Sequence, residues 1–389
     1  MKDLFNLKNK TIYSLGLMSG TSLDGIDIAL VKHTNLNNQT SHELISFKTY
    51  PYNDELKQRI LKNSIPNTSR IDEICSLNKE LGMAYKEAIG KFMNDFKIDL
   101  KDIFFIAVHG QTVYHIPRAN NELVRSTLQL GDMSEIAYHF NKLVVYDFRS
   151  LDISSGGEGA PLVPIVNFEL FKDLAPIMLL NIGGISNITY IKDHDINNVL
   201  AFDSGPGNML IDGLMKRLFN KPFDEAGKIA SMGKLNQPLF KFLINDEYYK
   251  LGLPKSTGRE KYNDELVEKI VSLKKELNID SVDIIYTLTY FTAYTIKIGV
   301  QLIDQLNTLM IVSGGGARNN TLVKMLKDLG LNVKIADKEL KIDSDALEAY
   351  SFAILGYKRL MGEVANVKGA TGSPNETQLG SIILPPRGE

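Results

Sequence analysis

The strongest constraint on the fold of this chain is a pattern that occurs twice. Near the N-terminus, "YSLGLMSGTSLDGIDIALV" sets two apolar, strand-like runs around a centre of Gly, Ser, Thr and Asp. Far downstream, "IMLLNIGGISNITYIKD" again reads as strand, glycine turn and strand. Apolar runs with β-branched residues, interrupted by a short Gly-rich group, are the mark of a hairpin. Two such hairpins opening two halves of one chain predict an internally duplicated α/β architecture. Identity between the halves is slight, so the inference rests on the order and chemistry of the elements.

The flanking segments carry the same plan. "SHELISFKTYPY" reads as a third strand of the first half. From Ser69 the period becomes helical, with Ile71, Ile74, Leu77, Leu81, Ala84, Ala88 and Phe92 three or four apart and Ser69 as the expected cap. Cys75, the only cysteine, is expected on the inner face of that helix. "DIFFIAVHG" reads as a short buried strand that ends in "HGQT". In the second half, "VLAFDSGPGNMLIDGLMKRLF" reads as strand, glycine turn and helix, and "LMIVSGGGARNNTLVKMLKDLG" as a strand leading to a helix from near Asn320. At 389 residues, 44% of them hydrophobic, the chain is long enough for two cores.

Composition and missing motifs exclude several functions. A formal charge of -2 gives no overall electrostatic reason for a nucleic acid or an anionic membrane as partner. One cysteine excludes an internal disulfide framework and disfavours a Cys-based zinc site. The N-terminus lacks a signal-peptide core and no apolar run approaches about 18 residues, so a soluble, cytoplasmic location is expected. P-loop, dinucleotide-binding, zinc-protease and serine-hydrolase signatures are all missing.

The glycine turns carry chemistry of their own. "GTSLDG", "FDSGPGN" and "SGGGARN" each follow a strand, where successive N–H groups without side-chain bulk form concave anion sites. Ser19, Thr21 and Ser22 add hydroxyl donors, and Asp24 or Asp27 is the candidate carboxylate for a hydrated Mg²⁺. A plain tight turn is the alternative for any one of them; three together favour the anion site. Asp147, Arg149 and Asp152 precede a second glycine stretch, where a carboxylate can act as general base or, alternatively, pair with Arg149 in a turn. His109, Gln111 and Thr112 are candidate partners for a sugar hydroxyl, against a structural role for the histidine; His115 is read as peripheral.

The ordered set "GLMSGTSLDGID", "HGQT", "TLQLGD", "GGEGAPLVP", "NIGGISNIT", "FDSGPGN", "PKSTGRE", "SGGGARN" and "EAYSFAILG" resembles the anhydro-N-acetylmuramic acid kinase family, from about Gly16 to Thr371. The resemblance implies a duplicated ribonuclease-H-like, actin-like ATPase fold. Its two α/β domains, residues 1–172 with 350–389 and residues 173–349, would flank a nucleotide and substrate cleft that closes on its ligands. It also implies ATP as phosphoryl donor with Mg²⁺ held mainly by phosphates and water. The implied substrate is a small-molecule sugar, 1,6-anhydro-N-acetylmuramic acid, whose ring is opened by water at C1 while O6 is phosphorylated, in peptidoglycan recycling.

Residue roles follow from the same resemblance. Gly20, Thr21, Ser22, Leu23, Asp24, Gly25, Ile26 and Asp27 would cradle the phosphates, supported by Asp203, Gly205, Gly207 and Asn208. Gly314, Gly315 and Gly316 would lie near the nucleoside. Asp152 would be the base that activates water, with His109, Gln111, Thr112, Arg149 and Glu348 as sugar contacts. Two positions depart from the family: Leu151 replaces an arginine before the catalytic aspartate, and Glu158 a glutamine in the glycine run. A Glu158 close to Asp152 would favour proton uptake by the pair. No nucleic-acid or membrane partner is implied, and a homodimer fits the family without a surface stripe here to establish it. A kinase for another sugar, or an ATP-gated binding module without turnover, are the alternatives.

Overall fold

The structure is a computed structural model that describes residues 5–20, 23, 25–37, 39–119, 121–253, 255–258, 261–303, 307–336 and 344–387. Contacts divide the chain into two compact units, residues 1–166 with 345–389, and residues 167–344. The chain begins with β1 (Thr11–Ser19), β2 (Gly25–Leu36) and β3 (Gln39–Pro51), then α1 (Asp54–Asn63) and α2 (Ile71–Phe96). It continues through β4 (Ile103–Ile116), β5 (Ser126–Leu130), α3 (Met133–Phe140), β6 (Leu143–Tyr146) and α4 (Ser150–Ser154). After α5 (Pro164–Phe171) come β7 (Ile177–Ile182), β8 (Ile185–Ile191), β9 (Val199–Pro206) and α6 (Met209–Phe219). Helices α7 (Gln237–Ile244), α8 (Asp264–Glu276) and α9 (Ser281–Gln301) lead to β10 (Leu309–Ser313), α10 (Asn320–Asp328) and β11 (Val333–Ile335). The chain then returns to the first unit with α11 (Leu347–Met361), α12 (Lys368–Thr371) and β12 (Ser381–Ile383).

Each unit holds one mixed sheet, and the two sheets share a topology. In the first, the strands run β3-β2-β1-β4-β6, with β12 beyond β6 and β5 paired to β4. In the second they run β9-β8-β7-β10-β11. Both place an antiparallel three-strand meander beside two strands parallel to its first member. This is the duplicated ribonuclease-H-like fold of actin-like ATPases. The repeated hairpins of the sequence are β1–β2 and β7–β8.

Local departures from the expected pattern have clear causes. Helix α2 starts at Ile71 with Arg70 at its cap and no side-chain cap bond, because the Ser69 hydroxyl donates to the Pro66 carbonyl. Its buried stripe is Leu77, Leu81, Tyr85, Ala88, Ile89 and Phe92. Cys75 lies two residues before that stripe begins, roughly 200° around the helix from Leu77, and is exposed rather than inward. Strand β4 does not end at "HGQT". It continues to Ile116, with Gly110 at φ 82° and register shifts that let it pair first with β1 and then with β5.

Helix α11 decides where the first unit's polar groups meet. Its buried face covers β1, β2 and β4, and Gly16 makes the approach achievable: a Cβ there would stand 2.1 Å from the Ala349 carbonyl oxygen. Gly356 likewise faces the Phe105 ring. Beneath α11, the buried His33 ring stacks on Tyr357 with centroids 4.7 Å apart, and its nitrogens meet Ser14 Oγ and His42 Nδ1, each at 2.7 Å.

Burial, then the neighbouring His42, holds His33 well below the usual histidine range; burial, then Arg149, does the same for His109. Both are neutral when folded, so the unfolded chain binds more protons once the pH drops below about 6.5. Their stabilisation is present above that pH and is lost on acidification, by about 1.4 kcal/mol per pH unit for each group. Asp212, which burial and then Asp224 push up to about 7, opposes this loss in the same window. It is therefore in an Asp212→Asn background that urea midpoints should fall between pH 7.5 and 5.5, and a flat profile there would show that the rings protonate without penalty.

Candidate active site

In the first unit, short-range geometry gathers His109, Arg149, Asp152, Asp27 and Glu348. Arg149 precedes α4 and donates from Nε to His109 Nε2 at 2.9 Å and from Nη1 to the Gly159 carbonyl at 2.7 Å. Since arginine only donates, the proton of the neutral His109 sits on Nδ1. Burial pulls the Arg149 guanidinium down to about 10, against the opposing pull of Glu348 and then Asp152, although its edge is partly accessible. Glu348 lies in the first turn of α11 and is open to solvent. The protein around it, then the Asp27 carboxylate, pushes its carboxyl above the usual range, with Arg149 opposing. Asp27 itself accepts from Thr49 Oγ1.

Asp152 lies inside α4, not in a turn, and is fully buried. Its Oδ2 accepts from the Gly159 N–H at 2.8 Å, and its Oδ1 from Asn366 Nδ2 at 3.1 Å and Thr371 Oγ1 at 2.9 Å. Gly157 packs so closely that a Cβ would stand 2.2 Å from Oδ2. Asp147, at the end of β6, has φ 52° and accepts from Ser150 Oγ, which makes it the turn residue of the pair. Glu158 ion-pairs with Arg118 at 2.8 Å. That cation partly neutralises the charge that the glycine run gains.

The expected sugar contacts divide into two groups. Thr112, Arg149 and Glu348 retain access to solvent. His109 is only 3% exposed, its Nε2 engaged by Arg149. Gln111 is wholly buried: its amide donates to the Gly20 carbonyl at 3.2 Å, and its Oε1 accepts from Tyr52 OH at 3.4 Å. The structure thus turns both inward, because β4 carries "HGQT" into the body of the sheet. A 380 Å³ cavity in the same unit is walled by Gln129, Asp132, Ser134, Asp147 and Ser150, and of the expected sugar contacts only His109 borders it.

Gln111 instead supports the β1–β2 turn. Replacing it with methionine leaves the Gly20 carbonyl and the Tyr52 hydroxyl without this partner, and we expect nucleotide affinity to fall about 3- to 10-fold with a lowered melting temperature. Calorimetry with ADP checks this; lost sugar affinity beside intact ADP affinity would return Gln111 to the sugar.

Thr21, Ser22 and Asp24 lie outside the described residues. Around them, Leu23 has φ 60°, bonds back to the Gly20 carbonyl at 3.2 Å and buries its side chain in the core, so any ligand contact it makes is through the backbone. Ile26 is also a core residue. Gly25 has a packing reason to be glycine, since a Cβ would meet the Tyr50 carbonyl at 2.4 Å.

Within the second unit, three turns converge. Gly207 N–H donates to the Gly184 carbonyl and Asn208 N–H to that of Gly183, each at 2.8 Å. Thr292, on the central helix α9, donates to the Gly207 carbonyl at 2.9 Å. Asn208 Nδ2 reaches the Ile182 carbonyl at 3.3 Å, while Cβ atoms at Gly314 and Gly316 would collide with Asn181 and Ile182. Gly205 has φ 155° beside Thr295. Asp203 accepts from Asn187 Nδ2 at 3.0 Å and from Thr257 N–H at 2.9 Å, tying the "KST" segment to β9. The Gly207 and Asn208 amides are therefore engaged by the β7–β8 turn. Gly183 and Gly184, whose carbonyls accept these amides, lie in the glycine turn of the second hairpin, which the sequence pattern shows.

A model of the anhydro-N-acetylmuramic acid kinase family matches residues 12–385. The chain belongs to that family. A curated relative from Clostridioides difficile (strain 630), named anhydro-N-acetylmuramic acid kinase, is 42% identical across 97% of this chain and 100% of its own length. Relatives of the same name from Caldanaerobacter subterraneus subsp. tengcongensis and Francisella tularensis subsp. novicida are 38% and 42% identical. They cover 98% and 95% of this chain, and 98% of their own length in each case. Membership makes the chain a kinase. Among the described residues no helix is long and apolar enough to cross a membrane.

Proposed function

We propose that this kinase acts on 1,6-anhydro-N-acetylmuramic acid, coupling hydrolytic ring opening to phosphorylation. Water attacks C1, the C1–O6 bond breaks, O6 takes the γ-phosphoryl group of ATP, and N-acetylmuramic acid 6-phosphate and ADP leave. The proton from water passes to Asp152 and then to solvent. The observation that carries this reading is the full-length match to kinases of that name. Such an anhydro sugar arises when a cell wall is turned over, so the role is peptidoglycan recycling.

The chemistry divides between the groups described above. Water is a poor nucleophile and gains from a base, while the departing O6 receives phosphorus in place of a proton. Arg149, held by His109 and Gly159, offers a fixed cation beside Asp152, in a region where Leu151 supplies none. Thr112, Arg149 and Glu348 are the sugar contacts we assign, with His109 and Gln111 behind them. The turn from Gly20 to Asp27 takes the phosphates, and Asp203, Gly205, Gly207 and Asn208 brace their part of the nucleotide site, with Gly314, Gly315 and Gly316 near the nucleoside.

Magnesium fits this residue set only as a cation carried on the nucleotide. Among the described residues no group of three His, Cys, Asp or Glu side chains could hold a metal ion. Asp27 is the one described carboxylate on the phosphate hairpin. Bound there, Mg²⁺ would neutralise phosphate charge and keep several waters, as this ion prefers.

Product mass after incubation with ATP, Mg²⁺ and the anhydro sugar tests the reading. A gain of both water and phosphate is expected. Phosphate alone would mean an ordinary sugar kinase, and nucleotide binding without any product a gated binding module.

A further inference from the structure

Asp152 is gripped by side chains 214 and 219 residues away in the chain. Asn366 and Thr371 belong to the returning segment around α12, and both are buried. The segment is itself fixed. Asn366 Oδ1 accepts from Thr377 N–H at 2.8 Å, and Asn366 Nδ2 also reaches the Asn375 carbonyl at 3.0 Å. The same segment holds the glycine loop beside the carboxylate: Glu158 N–H donates to the Thr371 carbonyl, and Ser155 meets Ser373, each at 2.8 Å. From the other side, Arg125 Nη1 donates to the Gly157 carbonyl at 2.9 Å.

We propose that Asn366 and Thr371 are positioning residues for the water-activating carboxylate, and that Asp152 Oδ2 is the oxygen that takes the proton. The inference rests on the assignment of Asp152 as base. An ionised carboxylate accepts at about four sites. Two donors converge on Oδ1, whereas among the described residues Oδ2 takes only the Gly159 amide. The pair on Oδ1 fixes the rotation of the group, and Oδ2, with one donor, keeps the larger unused accepting capacity. A misplacement of about 1 Å in such a constellation costs about 10²-fold in rate, so the grip belongs to the chemistry as much as to the fold.

The test compares steady-state constants of the full-length enzyme and its variants. Thr371→Val replaces a hydroxyl with a methyl of the same shape and Asn366→Ala removes the amide. Each should lower kcat about 10- to 100-fold with KM for both substrates and the Kd for ADP within about two-fold. Thr371→Ser should return kcat to within about three-fold of wild type, since the donor is restored. If Asn366→Ala fails to fold, the Thr371 pair carries the test.

Wild-type kcat in Thr371→Val and Asn366→Ala overturns the inference. A joint loss of kcat, both affinities and melting temperature, with no rescue by serine, also overturns it and leaves a structural staple. Asp152→Asn separates the levels. If that variant is inactive while the two positioning variants are fully active, only the inference falls. If Asp152→Asn turns over normally, the base assignment itself is wrong.

Discussion

Asp152→Asn is expected to lower turnover about 10²- to 10⁴-fold while leaving ADP affinity within about two-fold, the range that loss of a general base produces. The substitution keeps the shape of the side chain and changes two properties. It removes the group that accepts the proton from water, and it replaces one accepting oxygen with a donor. The best placement keeps the amide oxygen toward Asn366 and Thr371, which leaves the asparagine NH₂ facing the Gly159 N–H. That donor-to-donor contact costs about 1–3 kcal/mol of stability, so the melting temperature should fall modestly and the protein remain folded. Product mass in single-turnover mixtures, beside calorimetry with ADP, gives both readouts. Ring-opened phosphorylated product at the wild-type rate would remove Asp152 from the chemistry.

How much of this site is legible in the sequence depends on whether its partners are local. The hairpins β1–β2 and β7–β8 are readable because strand pattern and turn glycines are neighbours in the chain. Helix α10 starts where expected because Asn319 caps it locally, its Oδ1 accepting from Leu322 N–H at 3.0 Å. The direction in which a strand side chain points is harder. "HGQT" reads as the polar end of a strand, yet β4 runs on past it, so His109 and Gln111 point into protein and hold Arg149 and Gly20.

Helix α9 hides for a different reason. It is buried nearly all round, so it has no polar stripe to mark its period, and threonines such as Thr287 and Thr289 return their hydroxyls to carbonyls of their own helix. Asn366 and Thr371 show the limit of local reading. Nothing in "NVKGAT" marks a carboxylate partner until the fold brings α12 to α4.

Gly314→Ala is expected to weaken nucleotide binding by about ten-fold or more and to lower the melting temperature by about 4–12 °C, since a few kcal/mol in a domain of this size moves the midpoint by several degrees. Gly314 has φ 78° and ψ 180°, a region open essentially to glycine alone. An added Cβ would also stand 2.4 Å from Asn181 Oδ1 and 2.9 Å from the Ile182 carbonyl. Either the end of β10 moves away from β7 or the turn changes its path into α10, and both disturb the amides that we assign to the nucleoside side of the ATP site. Gly315→Ala separates fold from function. Its nearest neighbour would be Asn208 Nδ2 at 3.5 Å, an ordinary contact, so its melting temperature should stay within about 1–2 °C of wild type. If the turn lies against the nucleotide, the new methyl still lowers affinity for ADP. Calorimetry and thermal melts of both variants decide the matter: an unmoved melting temperature in Gly314→Ala would show that the turn tolerates a side chain, and wild-type ADP affinity in Gly315→Ala would take this turn out of the nucleotide site.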